Sequence, residues 1–450
     1  MSSYWQDVDW SSGRHQRECS AVASVGSREE AMKFPADFFL MVHAINRLRN
    51  NETADVDACV PPIDRTFNVL LSHSDDMKNN ADRMSVFEEV KGKVVRCLGE
   101  NLRLDEEMLL RIYGCLQINC FGIRDPFFME RGEGLYLDPS IIDHSCERNA
   151  TFLFDGLNIT IKAFSDIKAF EDSRISYTEL FVPTCVRKRR FTKNYFFDCR
   201  CRLCDGSSFA DLFPVRCDNV HCSAAVPTEE RALLPCSSCG QNPACTAEQL
   251  DRSSLLMRRH LEGVEENDDR ITIAEFSLTE ILDDFDIIRA RCEKVLHRDN
   301  MLLGMVQDRR GRLLSTMERY DEAFAAFQQS LTSMRKFFSP NDIKFALQLL
   351  KTALSAFLSG SYLSASLFLA EAARILKVCE GSSRPLVVLA NTLLERLRDF
   401  DGEIYEADPD CNAPDHYFLV KSLLALLCNV RMEEKFLDVE DSIVPYLDHQ

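Results

Sequence analysis

The chain has 450 residues and a formal net charge of −18; 46% of it is hydrophobic and 28% charged, with 17 Gly and 15 Pro. That composition excludes a collagenous, low-complexity or wholly disordered chain, and the charge disfavours duplex DNA or an anionic membrane as partner. No apolar run reaches the ~18–20 residues that cross a bilayer. At roughly 100–200 residues per domain the length predicts two to four domains. The opening MSSYWQDVDW has neither a basic start nor an apolar core and does not read as a signal peptide. The 19 Cys therefore point to thiolate metal ligation before disulfides.

In chain order, residues 1–33 are polar and mixed. Residues 34–57 read as helix, because Phe38, Phe39, Met41, Val42, Ile45 and Leu48 recur at three-to-four spacing. Residues 82–98 (Met84, Phe87, Val90, Val94, Val95) and 103–118 (Leu104, Met108, Leu109, Ile112) read the same way. The pattern changes after Gly132. Residues 151–155 (TFLFD) and 157–162 (LNITIK) alternate around Asp155-Gly156, which predicts a β-hairpin. Residues 174–177 (RISY) predict a third strand, making 132–180 a compact β region. The basic run Arg187-Lys188-Arg189-Arg190, with Lys193, is compatible with nuclear import or nucleic-acid contact. Against the acidic background we read it as the solvated face of a short helix, with no direct nucleic-acid contact expected. From about residue 250 the chain reads as helical to its end. Tyr320-x2-Ala323-x3-Phe327 recurs 42 residues later as Tyr362-x2-Ala365-x3-Leu369. Small residues at fixed positions let paired helices approach, which suggests stacked hairpins of tetratricopeptide type, with a plain helical bundle as the alternative.

Eight cysteines crowd into residues 199–245. Cys199-Arg-Cys201-Arg-Leu-Cys204 can occupy three corners of a tetrahedral zinc, with the fourth ligand coming from elsewhere. Cys217-x4-Cys222 and Cys236-x2-Cys239 have the form of a zinc ribbon or knuckle, with His221 and Cys245 as substitute ligands. The isolated Cys97, Cys115, Cys292 and Cys428 read as small core residues.

The most informative stretch is GEGLYLDPSIIDHSCERN, residues 132–149. It is followed by the hairpin, by Ser176-Tyr177, and by Tyr195-Phe-Phe197-Asp-Cys199-Arg-Cys201-Arg-Leu-Cys204. This order resembles the SMYD family, protein-lysine methyltransferases that combine SET and MYND modules. That family reads GLY-P-x-x-S-x-x-NHSC-x-PN, then a hairpin, an acidic turn, a strand ending in Tyr, and Y-x-F-x-C-x-C-x2-C. The resemblance covers roughly residues 35–205, and the helical tail fits it. It implies that His73, Asn119, Asp143 and His144 contact S-adenosylmethionine and that Phe197 stacks on its adenine. It implies Tyr177 as the active-site tyrosine and Tyr195 as a wall of the lysine channel. It also implies Cys146 as the fourth ligand beside Cys199, Cys201 and Cys204, both zincs being structural.

Three departures from the family pattern shape the expectation. Tyr4, Trp5, Trp10, His15 and Cys19 resemble the end of a MYND finger with only His15 and Cys19 as ligands. The first SET strands, with their Gly-rich cofactor loop, are expected to be missing. Asp143 stands where the family has Asn, and an ionised carboxylate accepts but does not donate.

The resulting expectation is an α+β chain. A MYND remnant (1–19) leads to a helical SET insertion (20–131), the carboxy-terminal SET core (132–182), a Cys-rich zinc region (183–250) and a tetratricopeptide-like helical domain (251–450). Its implied activity is methyl transfer from S-adenosylmethionine to a lysine of a histone or other protein. The alternative is a catalytically impaired, zinc-stapled scaffold that binds a peptide or protein through the helical domain. Cytoplasm and nucleus both suit the cysteine usage.

Overall fold

In the computed structural model the described residues are 33–50, 65–99, 104–206, 212–229, 232–268, 278–398 and 414–428, with positions 16, 19, 22, 23 and 102. The expected finger remnant, including Tyr4, Trp5, Trp10 and His15, lies outside them except for Gln16 and Cys19. The chain divides into two compact units. The first comprises Met1–Ile123, Glu130–Asp143 and Arg190–Asp198; the second comprises Arg124–Met129, His144–Arg189 and Cys199–Gln450.

The first unit is built on helices α1 (Ala36–Arg49), α2 (Ser74–Lys78), α3 (Ala81–Leu98) and α4 (Glu106–Asn119). Their starts are written in side chains. Asn80 accepts from the Arg83 backbone N–H at 3.1 Å and Asp105 from that of Met108 at 2.8 Å, each satisfying a donor that the first turn leaves open. The predicted apolar stripes form the core: Phe38, Met41, Val42, Ile45, Phe87, Val90, Val94, Leu109 and Ile112 are buried together. Val95 and Met108 stand outside it, 45% and 41% exposed. Strand β1 (Cys120–Arg124) follows α4 directly and pairs with β2 (Glu130–Leu135). Sequence periodicity, which placed the first strands after Gly132, missed β1; its five residues alternate too briefly to show a period.

In the second unit, β3 (Ala150–Asp155) and β4 (Asn158–Ala163) form the predicted hairpin, antiparallel with Asp155 opposite Asn158. Gly156 supplies the positive φ of +57° at the turn. The predicted strand at 174–177 does not form; only Ile175 bridges, to His144. The reason is that its donors are taken by side chains. The Arg174 N–H goes to Asn149 Oδ1 at 2.7 Å and the Tyr177 N–H to His144 Nδ1 at 3.1 Å, which leaves no ladder to extend.

The short helix of the basic run, α5, spans Thr184–Arg190, but its expected solvated face is broken by Arg187, which is fully buried. Helix α6 (Arg202–Asp205) carries Cys204. Four two-residue strands follow as two pairs: β5 (Val215–Arg216) with β6 (Ala225–Val226), and β7 (Thr228–Glu229) with β8 (Ala232–Leu233).

The rest of the unit, among the described residues, is helical: α7 (Ala247–Asp268), α8 (Leu278–Cys292), α9 (Met301–Thr316), α10 (Tyr320–Phe337), α11 (Ile343–Leu358), α12 (Tyr362–Glu380), α13 (Pro385–Arg398) and α14 (Pro414–Leu427). The two repeats open α10 and α12, the second helices of the hairpins α9–α10 and α11–α12. Their small and large partners Ala323, Phe327, Ala365 and Leu369 are all buried. On the facing helix, a Cβ added at Gly311 would stand 2.6 Å from the Phe327 ring, so only glycine admits that approach. Among the described residues no helix is long and apolar enough to cross a membrane. Cys97, Cys115, Cys292 and Cys428 are buried, as expected of core cysteines.

Candidate metal centres and active-site residues

Two groups of four thiols assemble in the second unit. Cys146, Cys199, Cys201 and Cys204 form one, and Cys217, Cys222, Cys236 and Cys239 the other; within each group the sulfurs all lie within 4.8 Å of one another. Sulfurs at ~2.3 Å from a tetrahedral zinc stand ~3.8 Å apart. The observed spacings are 3.5 Å for Cys146–Cys204, 3.4 Å for Cys217–Cys239 and 3.7 Å for Cys222–Cys236. The donor set and its spacing fit zinc in both places, and His221 and Cys245 belong to neither group.

In the first group the mutual hydrogen bonds split the thiols: bonds from Cys146, then from Cys201 and Cys204, hold Cys199 well below its ordinary value, while Cys146 and Cys204 are raised. In the second, the backbone N–H groups of Ser238 and Cys239 point at the Cys236 sulfur and hold it down, to about 7. Gly240, at φ +74°, closes that turn with its N–H on the Cys236 carbonyl at 2.8 Å. Converging N–H groups on a sulfur favour the thiolate that a metal requires.

His144 and Tyr177 meet beside the first group. The Tyr177 N–H can only donate, so His144 Nδ1 accepts it at 3.1 Å. A neutral imidazole in that arrangement carries its proton on Nε2, which lies 3.4 Å from Cys146 Sγ and donates to it. The two rings stand 5.4 Å apart at 54°. One side chain thus joins a metal-ligating thiol to the backbone of the predicted active-site tyrosine. Two further ion pairs hold the flanks of this segment: Arg148 on Asp342 at 2.6 Å and Lys344 on Glu179 at 2.9 Å.

The remaining predicted residues lie in the first unit. His73 sits in the left-handed region at φ 49°, bonded to Asp76 at 2.8 Å and stacked at 5.3 Å on Phe196. Asn119 Nδ2 donates to the Cys115 carbonyl within α4 (2.8 Å) and to the Leu71 carbonyl (3.1 Å), and the second bond ties α4 to the segment before His73. Tyr195 lies 6.4 Å from Phe197, which itself stacks on Phe191 at 5.1 Å. Burial, with Glu133 nearby, pushes the Tyr195 phenol above its ordinary value. Asp143 is exposed.

Sequence reasoning missed Phe196 and Arg83. Arg83 donates to Gln117 at 2.7 Å and to Asn194 at 3.0 Å, bracing the turn that carries Tyr195. The three consecutive aromatics at 195–197 were the available signal for Phe196. No local pattern marks Arg83, whose contacts are remote in sequence.

No protein-family model matches the chain. Among curated proteins it is 25% identical over 195 residues to N-lysine methyltransferase SMYD2-B of Danio rerio, covering 43% of each chain. It is 22% identical over 406 residues to histone-lysine N-methyltransferase ASHR1 of Arabidopsis thaliana, covering 85% of this chain and 79% of that one. It is 31% identical over 156 residues to a SET and MYND domain-containing protein of Dictyostelium discoideum, covering 34% of this chain and 36% of the other. The chain thus spans less than half the length of the SMYD2-B relative, but most of ASHR1. These similarities converge with the order of motifs along the chain: over the matched stretches it is similar to SET and MYND domain proteins of the SMYD family.

Proposed function

We propose that the chain is a protein-lysine N-methyltransferase that uses S-adenosylmethionine. The reading rests above all on the Cys146–His144–Tyr177 connection at a thiol group that fits zinc. Supporting it are relatives that are themselves named lysine methyltransferases. In this reading residues 132–182 are the carboxy-terminal SET core, and the helices from 251 onward are the tetratricopeptide-like domain.

S-adenosylmethionine, when bound, supplies a methyl group made electrophilic by its sulfonium. Methyl transfer to an amine is an in-line displacement, so the protein's task is orientation, water exclusion and charge. The Tyr177 hydroxyl would orient the lysine amine. Tyr195 would offer an aromatic face that favours a cation. His73, Asn119, Asp143, His144 and Phe197 would hold the cofactor, with Asp143 suited to its ammonium group. The zinc groups fix backbone and take no part in bond making. The substrate is a histone or other protein, met in cytoplasm or nucleus.

The test is calorimetric titration of S-adenosylmethionine into zinc-loaded, monodisperse full chain, followed by transfer of labelled methyl to core histones. Saturable micromolar binding, with transfer abolished in Tyr177→Phe, is the expected result. A folded, zinc-loaded chain that binds no S-adenosylmethionine refutes it.

One observation favours a second reading, that of a partner-binding scaffold. A cavity of about 420 Å³ opens beside the second thiol group, lined by Arg216, His221, Glu293, His297, Arg298 and Gln329. That recess would seat a segment of a bound protein. Methylation of any protein by the purified chain excludes a purely scaffolding role.

A further inference from the structure

Four basic residues in a row on α5 would all be expected to reach water. Arg187 does the opposite: it is 0% exposed and ranks first among the largest fully buried side chains. A guanidinium cannot shed its proton to escape burial, so its charge must be matched where it lies.

Its contacts account for the Nη donors without accounting for charge. Nη1 donates to the carbonyls of Leu180 (3.2 Å) and Val182 (2.6 Å), and Nη2 to Thr184 Oγ1 (3.1 Å) and the Leu203 carbonyl (3.1 Å). The Phe337 ring lies 5.5 Å from the guanidinium carbon. Nε is buried with no hydrogen-bond partner. Among the described residues no carboxylate pairs with it. What remains is Nη2 facing Cys204 Sγ at 4.0 Å. Four thiolates around a divalent zinc leave a net charge of about −2, and among the described residues such a centre is the one anion within reach.

We propose that Arg187 is the buried counter-cation of the Cys146, Cys199, Cys201 and Cys204 metal centre and sets that centre's affinity for zinc. This goes beyond the methyltransferase reading and stands whether or not the chain transfers methyl groups. The guanidinium offsets half of the centre's excess charge from one side. On another side, His144 donates to Cys146.

A mere strut between carbonyls would need donors, whereas a counter-ion needs charge, and two substitutions separate them. Arg187→Gln keeps an amide donor and loses the charge; Arg187→Lys keeps the charge and loses the planar fan. Arg189→Gln, at an exposed position of the same helix, is the control. Zinc affinity of the full chain is measured by competition with a chromophoric chelator, with Cys217→Ser/Cys236→Ser identifying the step that belongs to the second group. Cobalt substitution reads the thiolate-to-metal charge-transfer band.

Arg187→Gln is expected to weaken the first centre about 10- to 100-fold, the usual range for residues that support metal ligands. It should also move the cobalt band to lower energy. Arg187→Lys should stay within about threefold of wild type with the band in place, the fold-change that separates charge from donor count. Wild-type affinity in Arg187→Gln overturns the proposal, as does equal loss in Arg187→Lys. If Arg187→Gln does not fold, the Lys variant decides alone. Retained affinity and band position support the counter-ion, and their loss overturns it.

Discussion

Arg148 lies two residues after Cys146, and its guanidinium meets both carboxylate oxygens of Asp342, at 2.6 and 3.0 Å. The two side chains are 7% and 3% exposed, so this is a desolvated pair. Asp342 also caps α11, accepting from the Lys344 N–H at 2.8 Å. In Arg148→Met the apolar stem is retained, the guanidinium beside the Phe164 ring is lost, and the carboxylate is left buried with the cap bond alone, a loss of about 3–5 kcal/mol. Asp342→Asn keeps the cap and leaves the guanidinium uncompensated, a loss of the same order. The double variant removes both charges, and its loss should fall short of the sum by about 2–3 kcal/mol, the coupling of residues in direct contact. Urea unfolding of zinc-loaded protein, followed by circular dichroism, measures all three. If Arg148→Met costs less than about 0.5 kcal/mol, or if the cycle is additive, the pair behaves as a screened surface contact and the reasoning fails.

Gly311→Ala and Gly92→Ala are the same substitution with opposite expected signs. The new Cβ meets the buried Phe327 ring at 2.6 Å in the first and nothing within 4 Å in the second. Overpacking of ~1–3 kcal/mol should outweigh a helix-propensity gain of up to ~1 kcal/mol at Gly311, while Gly92→Ala should gain that propensity outright; thermal melts that move the same way would refute the packing argument. Burial alone would raise the Asp308 carboxyl, but Arg312 and Lys351 hold it well below its ordinary value. Its folded value therefore lies under its unfolded one, and its contribution is complete above about pH 4 and lost as pH falls below that. The stability gap between wild type and Asp308→Asn should accordingly be constant from pH 7 to 5 and narrow below 4, whereas a gap unchanged at pH 3.5 contradicts the assignment. Chelation of zinc should deprotect the Tyr177 amide to hydrogen exchange before the amides of α10 and α11; uniform deprotection would mean that His144 transmits nothing.

Helices were the most legible part of the chain because burial repeats every three to four residues, and Phe38, Met41, Val42 and Ile45 keep that beat. The β3–β4 hairpin was legible through Asp155-Gly156, a local turn. Strand β1 was not, since nothing in its five residues distinguishes it from the end of α4. The thiol groups divide on the same line. Cys199, Cys201 and Cys204 declare themselves by spacing, whereas Cys146 is remote in sequence and was reached only through family resemblance. Residues 174–177 looked like a strand, but side chains of Asn149 and His144 took the backbone donors. Arg187 shows the limit most sharply: a run of four basic residues carries no mark of which one turns inward.

The described β structure consists only of two-stranded sheets. Such pairs are marginal in water without something packed against them. Among the described residues, the segment that carries His144 and Tyr177 therefore has no wider sheet around it. Two things stand in. A metal joining Cys146 to Cys199 closes a loop of roughly 50 residues, which for a covalent cross-link of that span is worth about 4 kcal/mol. The Arg148–Asp342 and Glu179–Lys344 pairs then fasten the two flanks of Tyr177 to the start of α11. Positioning of the tyrosine is thus shared between a metal centre and a helical repeat. Each is remote from the other in sequence, and each can be removed separately, by chelation or by substitution at Arg148. A site held in this way is ordered only while both supports are in place. That is why metal content has to be established before any absence of methyl transfer is read as a property of the chain.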